Sequence, residues 1–152
     1  MKNEKYITTS EKETIEIGSN FAERLRVGDS VCLYGDLGSG KTEFIKGICK
    51  FFHVHELVTS PTFTIMNQYL GSHGSHKVPI YHIDLYRIKS QKELEEIGFN
   101  ECMDYGFALK LVEWADKAEG QFPAGHYSVT ITSDMENENN RTIEIEKFGE
   151  ND

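Results

Sequence analysis

The apolar residues of this chain fall into stretches of contrasting period. Val31, Cys32, Leu33 and Tyr34 form a short unbroken run of β-leaning residues, the pattern of a strand buried on both faces. Phe44, Ile45, Ile48, Cys49 and Phe52 recur at helical spacing, which predicts a helix from Lys41 with one apolar side. An earlier helix opens at Ser10-Glu11-Lys12-Glu13, where a hydroxyl and a carboxylate can satisfy each other's backbone N–H groups. It runs to about Arg26 and aligns Gly18, Phe21, Ala22 and Leu25. Thr59-Ser60-Pro61-Thr62 predicts a loop, because proline forbids a continuing helix. Phe63 to Leu70 and Val78 to Tyr86 are β-rich and flank Gly71 to His76, a hairpin pattern. Ser90-Gln91-Lys92-Glu93 opens a helix through Ile97, and Leu109 to Val112 predicts a strand ending at Glu113-Trp114. Ser128 to Thr132 and Thr142 to Glu146 alternate apolar with polar around a polar turn at Asn137 to Asn140, predicting a closing antiparallel hairpin.

This order of elements predicts an α/β fold: a mixed sheet with parallel core strands, extended by antiparallel strands and flanked by helices. With 152 residues the chain suffices for one such domain and not for two, so residues 1–152 are expected to form one. Cys32, Cys49 and Cys102 are odd in number, far apart and set among apolar residues, which suits reduced core thiols and argues against disulfides or a structural metal. No segment approaches the roughly 20 apolar residues needed to span a bilayer, and no apolar signal region opens the chain, so a cytoplasmic protein without membrane contact is expected. The formal net charge of −9 repels phosphate backbones. Contact with RNA is therefore expected to be local or delivered by a partner.

One motif carries the chemistry. Gly35-Asp36-Leu37-Gly38-Ser39-Gly40-Lys41-Thr42 is a complete G-x-x-x-x-G-K-T phosphate loop, with a predicted strand before it and a predicted helix after it. Glycines at this spacing let consecutive backbone N–H groups curl around a polyphosphate, where a Cβ at Gly38 or Gly40 would hold the chain away. The helix from Lys41 aims its positive end at the same anion. Lys41 can reach the β and γ phosphates, and the Thr42 hydroxyl can ligate Mg²⁺. Asp36 to Thr42 thus form a candidate binding site for a nucleoside triphosphate. This makes the expected fold a P-loop NTPase domain.

Ligands of such sheets sit beyond the carboxyl ends of the parallel strands. Two acids end strands there: Asp84 after Ile80-Tyr81-His82-Ile83, and Glu113 after Leu109-Lys110-Leu111-Val112. Burying an unpaired carboxylate at an apolar strand end is costly, so a metal or cationic partner explains at least one of them. Thr42, Asp84 and Glu113 are the candidate metal ligands, and Lys41, Asp84 and Glu113 the candidate catalytic residues. The residues alone leave open which acid orients Mg²⁺ and which acts on water. The Asn/Thr-Lys-x-Asp segment of guanine sites is missing, since Ala115-Asp116-Lys117-Ala118 has the wrong order, and ATP is favoured. No lid or acceptor domain of the kind a small-molecule kinase needs is evident, which favours hydrolysis.

Beyond the phosphate loop, Ser60-Pro61-Thr62-Phe63-Thr64, His82-Ile83-Asp84-Leu85-Tyr86-Arg87, Glu93-Leu94-Glu95-Glu96-Ile97-Gly98-Phe99 and Leu111-Val112-Glu113-Trp114 follow in order. Together these blocks resemble the TsaE (YjeE) family, the bacterial ATPase of tRNA threonylcarbamoyladenosine biosynthesis. The resemblance covers Val31 to Trp114. It implies a protein that binds and slowly hydrolyses ATP with Mg²⁺. Such a protein works with two protein subunits of the complex that transfers threonylcarbamoyl to adenosine 37 of tRNA, and it meets tRNA only through that complex. On matching positions the resemblance implies that Lys41 holds phosphates, that Thr42 and Asp84 serve Mg²⁺, and that Glu113 and Trp114 belong to the site. It also implies that Ser60 to Thr64 is a segment responsive to the γ phosphate, which adds Thr62 to the nucleotide-binding candidates. Without the resemblance, Thr62 reads equally as a turn residue and Trp114 as core. Arg87 suits transition-state charge or a surface ion pair in equal measure.

Overall fold

A computed structural model, which describes residues 3–149, shows a seven-stranded sheet in the order β1-β7-β6-β2-β5-β4-β3. The strands are β1 (Glu4–Thr8), β2 (Ser30–Tyr34), β3 (Met66–His73), β4 (His76–Asp84), β5 (Leu109–Glu113), β6 (Tyr127–Ser133) and β7 (Arg141–Lys147). The helices are α1 (Glu11–Ala22), α2 (Lys41–Phe51), α3 (Gln91–Glu96) and α4 (Phe99–Asp104), with a 3₁₀ turn at Ala115–Ala118. β6, β2, β5 and β4 run parallel, and β7, β1 and β3 join antiparallel. The expected mixed sheet is thus present.

The unbroken apolar runs are the central strands. Val31 to Leu33 and all of β5 are buried, because helices cover both faces there. On one face α1 and α2 pack over Val31, Leu33, Leu111, Val129, Ile131 and Ile143. On the other, α3, α4 and the 3₁₀ turn cover Cys32, Ile83 and Val112. α1 and α2 touch through glycines. A Cβ at Gly47 would lie 2.0 Å from the Ile15 carbonyl oxygen, and one at Gly18 2.2 Å from that of Phe44. This close approach fixes the tilt of α2 and so the place of its amino end.

Several boundaries differ from the sequence reading. Residues 63–65 form a turn, with Phe63 81% exposed, and β3 starts only at Met66. Gly71 to His73 belong to β3, and the hairpin turn is Gly74-Ser75 alone. Gly71 is there for contact: its bare Cα lets β3 lie against the end of α2, where Ser72 N–H donates to the Phe52 carbonyl. α1 stops at Ala22. The helix starts at Ser10 and Ser90 hold, each hydroxyl accepting from the N–H three residues on. The returning carboxylates, however, bind the preceding N–H groups of Thr9 and Lys89. β1 and α4 had no sequence signal, being five and six residues long. Cys32 and Cys49 are buried free thiols and Cys102 a half-buried one. No helix among the described residues is long and apolar enough to cross a membrane.

Candidate functional site

The loop from Gly35 to Gly40 turns the chain from the carboxyl end of β2 into α2. Gly38 at φ +76° and Gly40 at φ +112° occupy left-handed backbone. A Cβ at Gly38 would meet no atom within 4 Å, so the requirement for glycine there is conformational, and the space beside it is open. Gly40 is the residue before the first turn of α2, which leaves the helix's first N–H groups pointing back at the loop. Asp36 and Leu37 are exposed at the rim, Leu37 by 77%. The Ser39 hydroxyl is buried without a hydrogen-bond partner.

Lys41 folds into the loop rather than out to solvent. Its Nζ donates to the carbonyls of Gly35 at 2.6 Å and Asp36 at 3.0 Å, and lies 4.1 Å from the Trp114 ring centroid. Burial pushes its ammonium below the ordinary range, while Glu113, Asp84 and Asp36 pull it back up.

Sheet register brings the two acids to this loop. Glu113 sits beside Leu33 of β2 on one side and Asp84 of β4 on the other, so both carboxylates lie along the edge where Gly35 begins. Both are buried, Asp84 to 1% and Glu113 to 3% exposure. Glu113 accepts from the Thr42 hydroxyl at 3.2 and 3.3 Å, and its Oε2 lies 2.6 Å from His82 Nε2. Asp84 Oδ2 accepts from the hydroxyls of Ser60 at 2.7 Å and Thr62 at 3.0 Å, and its Oδ1 from the Tyr86 N–H at 2.8 Å. Thr62, a nucleotide-binding candidate, therefore stands on an acid. Lys41, Thr42, Thr62, Asp84, Glu113 and Trp114 all border one cleft of about 330 Å³.

Thr42, Asp84 and Glu113 bring a hydroxyl and two carboxylates together, an all-oxygen set that suits a hard cation such as Mg²⁺. Among the described residues lining this cleft, Lys41 is the one lysine or arginine. Two buried carboxylates against one ammonium leave a deficit of positive charge that a divalent cation would offset. Trp114 adopts φ +57°, a left-handed conformation unusual for a bulky residue, and its ring packs on Tyr86 at 4.9 Å. The strained turn at the end of β5 aims the indole at Lys41. Arg87 is exposed and stacks its guanidinium 4.2 Å from the Phe63 ring, outside the residues lining the cleft.

Four partners of the site carry no individual role in the sequence reading: His82, Ser60 and Tyr86, which stand inside the family-like blocks, and Arg141, which stands outside them. His82 shares a face of β4 with Asp84, a period-two relation that was visible, but its partner Glu113 lies on another strand. Arg141, the first residue of β7, donates from Nη2 to the Gly38 carbonyl at 3.2 Å. It borders a second cleft of about 210 Å³ that also touches Ser10, Thr14, Gly38 and Gly40. The loop thus faces the acids on one side and a cleft with Arg141 on the other.

A family described as "Threonylcarbamoyl adenosine biosynthesis protein TsaE" matches residues 8–143 of the chain. The tRNA threonylcarbamoyladenosine biosynthesis protein TsaE of Treponema pallidum is 34% identical over 139 residues, covering 91% of this chain and 97% of that protein. The protein of the same name from Bacillus subtilis is 37% identical over 131 residues, covering 86% and 78%. The crystal structure of Bacillus subtilis YdiB matches with a TM-score of 0.74 at 30% identity, over 98% of this chain and 87% of that one.

Proposed function

The chain belongs to the TsaE family and has a P-loop NTPase fold, and from that premise we propose that it is a Mg²⁺-dependent ATPase of tRNA threonylcarbamoyladenosine biosynthesis. Residues 1–152 act as one cytoplasmic domain. It binds and slowly hydrolyses ATP while acting on a partner complex of two protein subunits, which performs the transfer and holds the tRNA. The observation that carries this reading is the convergence of Lys41, Thr42, Asp84 and Glu113 on one cleft beside the glycine loop.

In that cleft the backbone N–H groups from Leu37 to Thr42 cup the phosphates. Lys41 exchanges the carbonyls of Gly35 and Asp36 for β and γ oxygens. Thr42 offers its hydroxyl oxygen to the cation, and Asp84 and Glu113 hold the cation and orient the attacking water. Mg²⁺, when bound, neutralises charge that develops on the phosphoryl oxygens. The Trp114 ring covers one side of the Lys41 ammonium, keeps water from it there and so strengthens its field. The second cleft, across the loop from the acids, takes the nucleoside end, with Arg141 near the α phosphate. Hydrolysis by the isolated chain is slow because Lys41 has no arginine beside it in the cleft and Arg87 is engaged by Phe63.

Titration calorimetry with ATP and Mg²⁺ tests the site directly. Binding to the wild type with a 1:1 ratio, together with release of free phosphate that rises when the transferase subunits are added, is the expected result. Rapid turnover by the isolated chain would contradict the partner-dependent reading. Loss of the modified adenosine from tRNA on deletion of the gene tests the pathway.

A further inference from the structure

We propose that His82 is a positioning residue that fixes the Glu113 carboxylate and, through Tyr69, ties it to the start of the 59–64 loop. The proposal rests on the ATPase reading above. His82 is fully buried on β4. Its Nε2 lies 2.6 Å from Glu113 Oε2 and its Nδ1 3.0 Å from the Tyr69 hydroxyl. That hydroxyl in turn lies 3.3 Å from the Thr59 carbonyl, which also accepts from Asn67 Nδ2 at 3.1 Å.

The chemistry of these atoms sets the direction of the chain. An ionised carboxylate accepts and never donates, so Nε2 carries a proton toward Glu113. Nδ1 then accepts from Tyr69 in the neutral ring, or donates to it while Tyr69 donates to Thr59. Both arrangements give the His82 ring nitrogens and the Tyr69 hydroxyl a partner, and both leave Nε2–H on Glu113. The terminal torsion of a glutamate is broad and two-fold, so packing alone does not fix the carboxylate plane. With Oε2 held by His82, the carboxylate plane is set so that the Thr42 hydroxyl reaches both oxygens, Oε1 at 3.2 Å and Oε2 at 3.3 Å. The same loop carries Ser60 and Thr62 to Asp84, so its position is felt at both carboxylates by separate routes.

The test compares kcat and KM for ATP in wild type, His82→Leu, His82→Gln, Tyr69→Phe, Glu113→Ala and the double variant His82→Leu/Glu113→Ala. His82→Leu is expected to lower kcat about 10- to 100-fold with KM within about threefold, the usual cost of losing a group that orients a ligand. His82→Gln, which returns an N–H near Nε2, recovers most of that loss. Tyr69→Phe costs about three- to tenfold in kcat. In the double variant the losses do not multiply, because His82 acts only through Glu113. In the metal-free, nucleotide-free protein, proton NMR should show a strongly deshielded imidazole N–H slow to exchange, which Glu113→Ala removes. Wild-type kcat in Tyr69→Phe and His82→Leu, a loss confined to KM, or multiplying losses would overturn the proposal. Should His82→Leu fail to fold, Tyr69→Phe and the NMR signal decide alone. Absent wild-type turnover would sink the ATPase reading, while absence of the imidazole proton would sink this proposal independently.

Discussion

Two lysines are buried among the described residues, and they have opposite meanings. Lys41, at the carboxyl edge of the sheet, and Lys110, at the amino edge, are 5% and 1% exposed. Each donates to two backbone carbonyls, Lys41 to Gly35 and Asp36, Lys110 to Gly28 and Tyr105. Burial lowers the proton affinity of both. Around Lys110 the carbonyls belong to loops that enter β2 and β5, and they complete its coordination. Around Lys41 they belong to a glycine loop at the mouth of a cleft, with Glu113 and Asp84 close by. A buried ammonium is therefore no sign of a site. Aspartates act on Lys110 as well, so what distinguishes Lys41 is an open cleft beside it, bordered by two buried carboxylates that a cation could share.

The contrast is sharpest under substitution. Lys41→Ala should remove detectable ATP binding, a loss of at least about 100-fold, since in the proposed site it deletes the cation that would meet the β and γ phosphates. Calorimetry giving wild-type affinity would end the assignment. Lys110→Met should leave ATP affinity within about twofold and instead lower stability by about 1–3 kcal/mol, because the carbonyls of Gly28 and Tyr105 lose their donor. A denaturant titration with an unchanged midpoint would refute its role as a clamp. Between these extremes, Asp84→Ala and Glu113→Ala should each lower turnover about 100-fold while ATP affinity changes by less than about fivefold. Phosphate release in the presence of the partner subunits measures this, and wild-type rates would remove the acids from the site.

The smallest expected effect is one of pH. Because the folded-state proton affinity of Lys110 is lowered from the ordinary value of 10.5, the unfolded chain binds more protons in the window just below that value. The contribution of Lys110 to stability therefore rises as pH increases through this window and is flat below it. Denaturant midpoints measured from about pH 8 to about pH 10.5 should climb less steeply in Lys110→Met than in wild type. Equal slopes would show that the ammonium is not held in the folded state as described.

Much of the site could be read from local sequence because its parts are local. The glycine loop needs left-handed backbone at Gly38 and Gly40, and an amphipathic helix must follow to aim its N–H groups; both signals lie within a few turns of chain. Asp84 and Glu113 were visible as charges ending apolar strands. The hidden contacts join residues distant in sequence: His82 with Glu113, Ser60 with Asp84, and Arg141 with Gly38. Short elements escaped for a related reason. β1 and α4 hold too few inward residues to show a period, and pairing with β7 and packing beneath the sheet stabilise them.

Chain-local chemistry was thus enough to mark the glycine loop, the central strands and the two strand-end carboxylates, since each depends on backbone conformation or on burial of neighbouring side chains. It could not say that Glu113 stands between β2 and β4, that Thr62 meets an acid, or that Trp114 turns back over Lys41. Those relations follow from parallel register, from one strained residue at a strand end and from two helices pressed together at Gly18 and Gly47. All three arise from long-range packing, whose partners no spacing along the chain can specify.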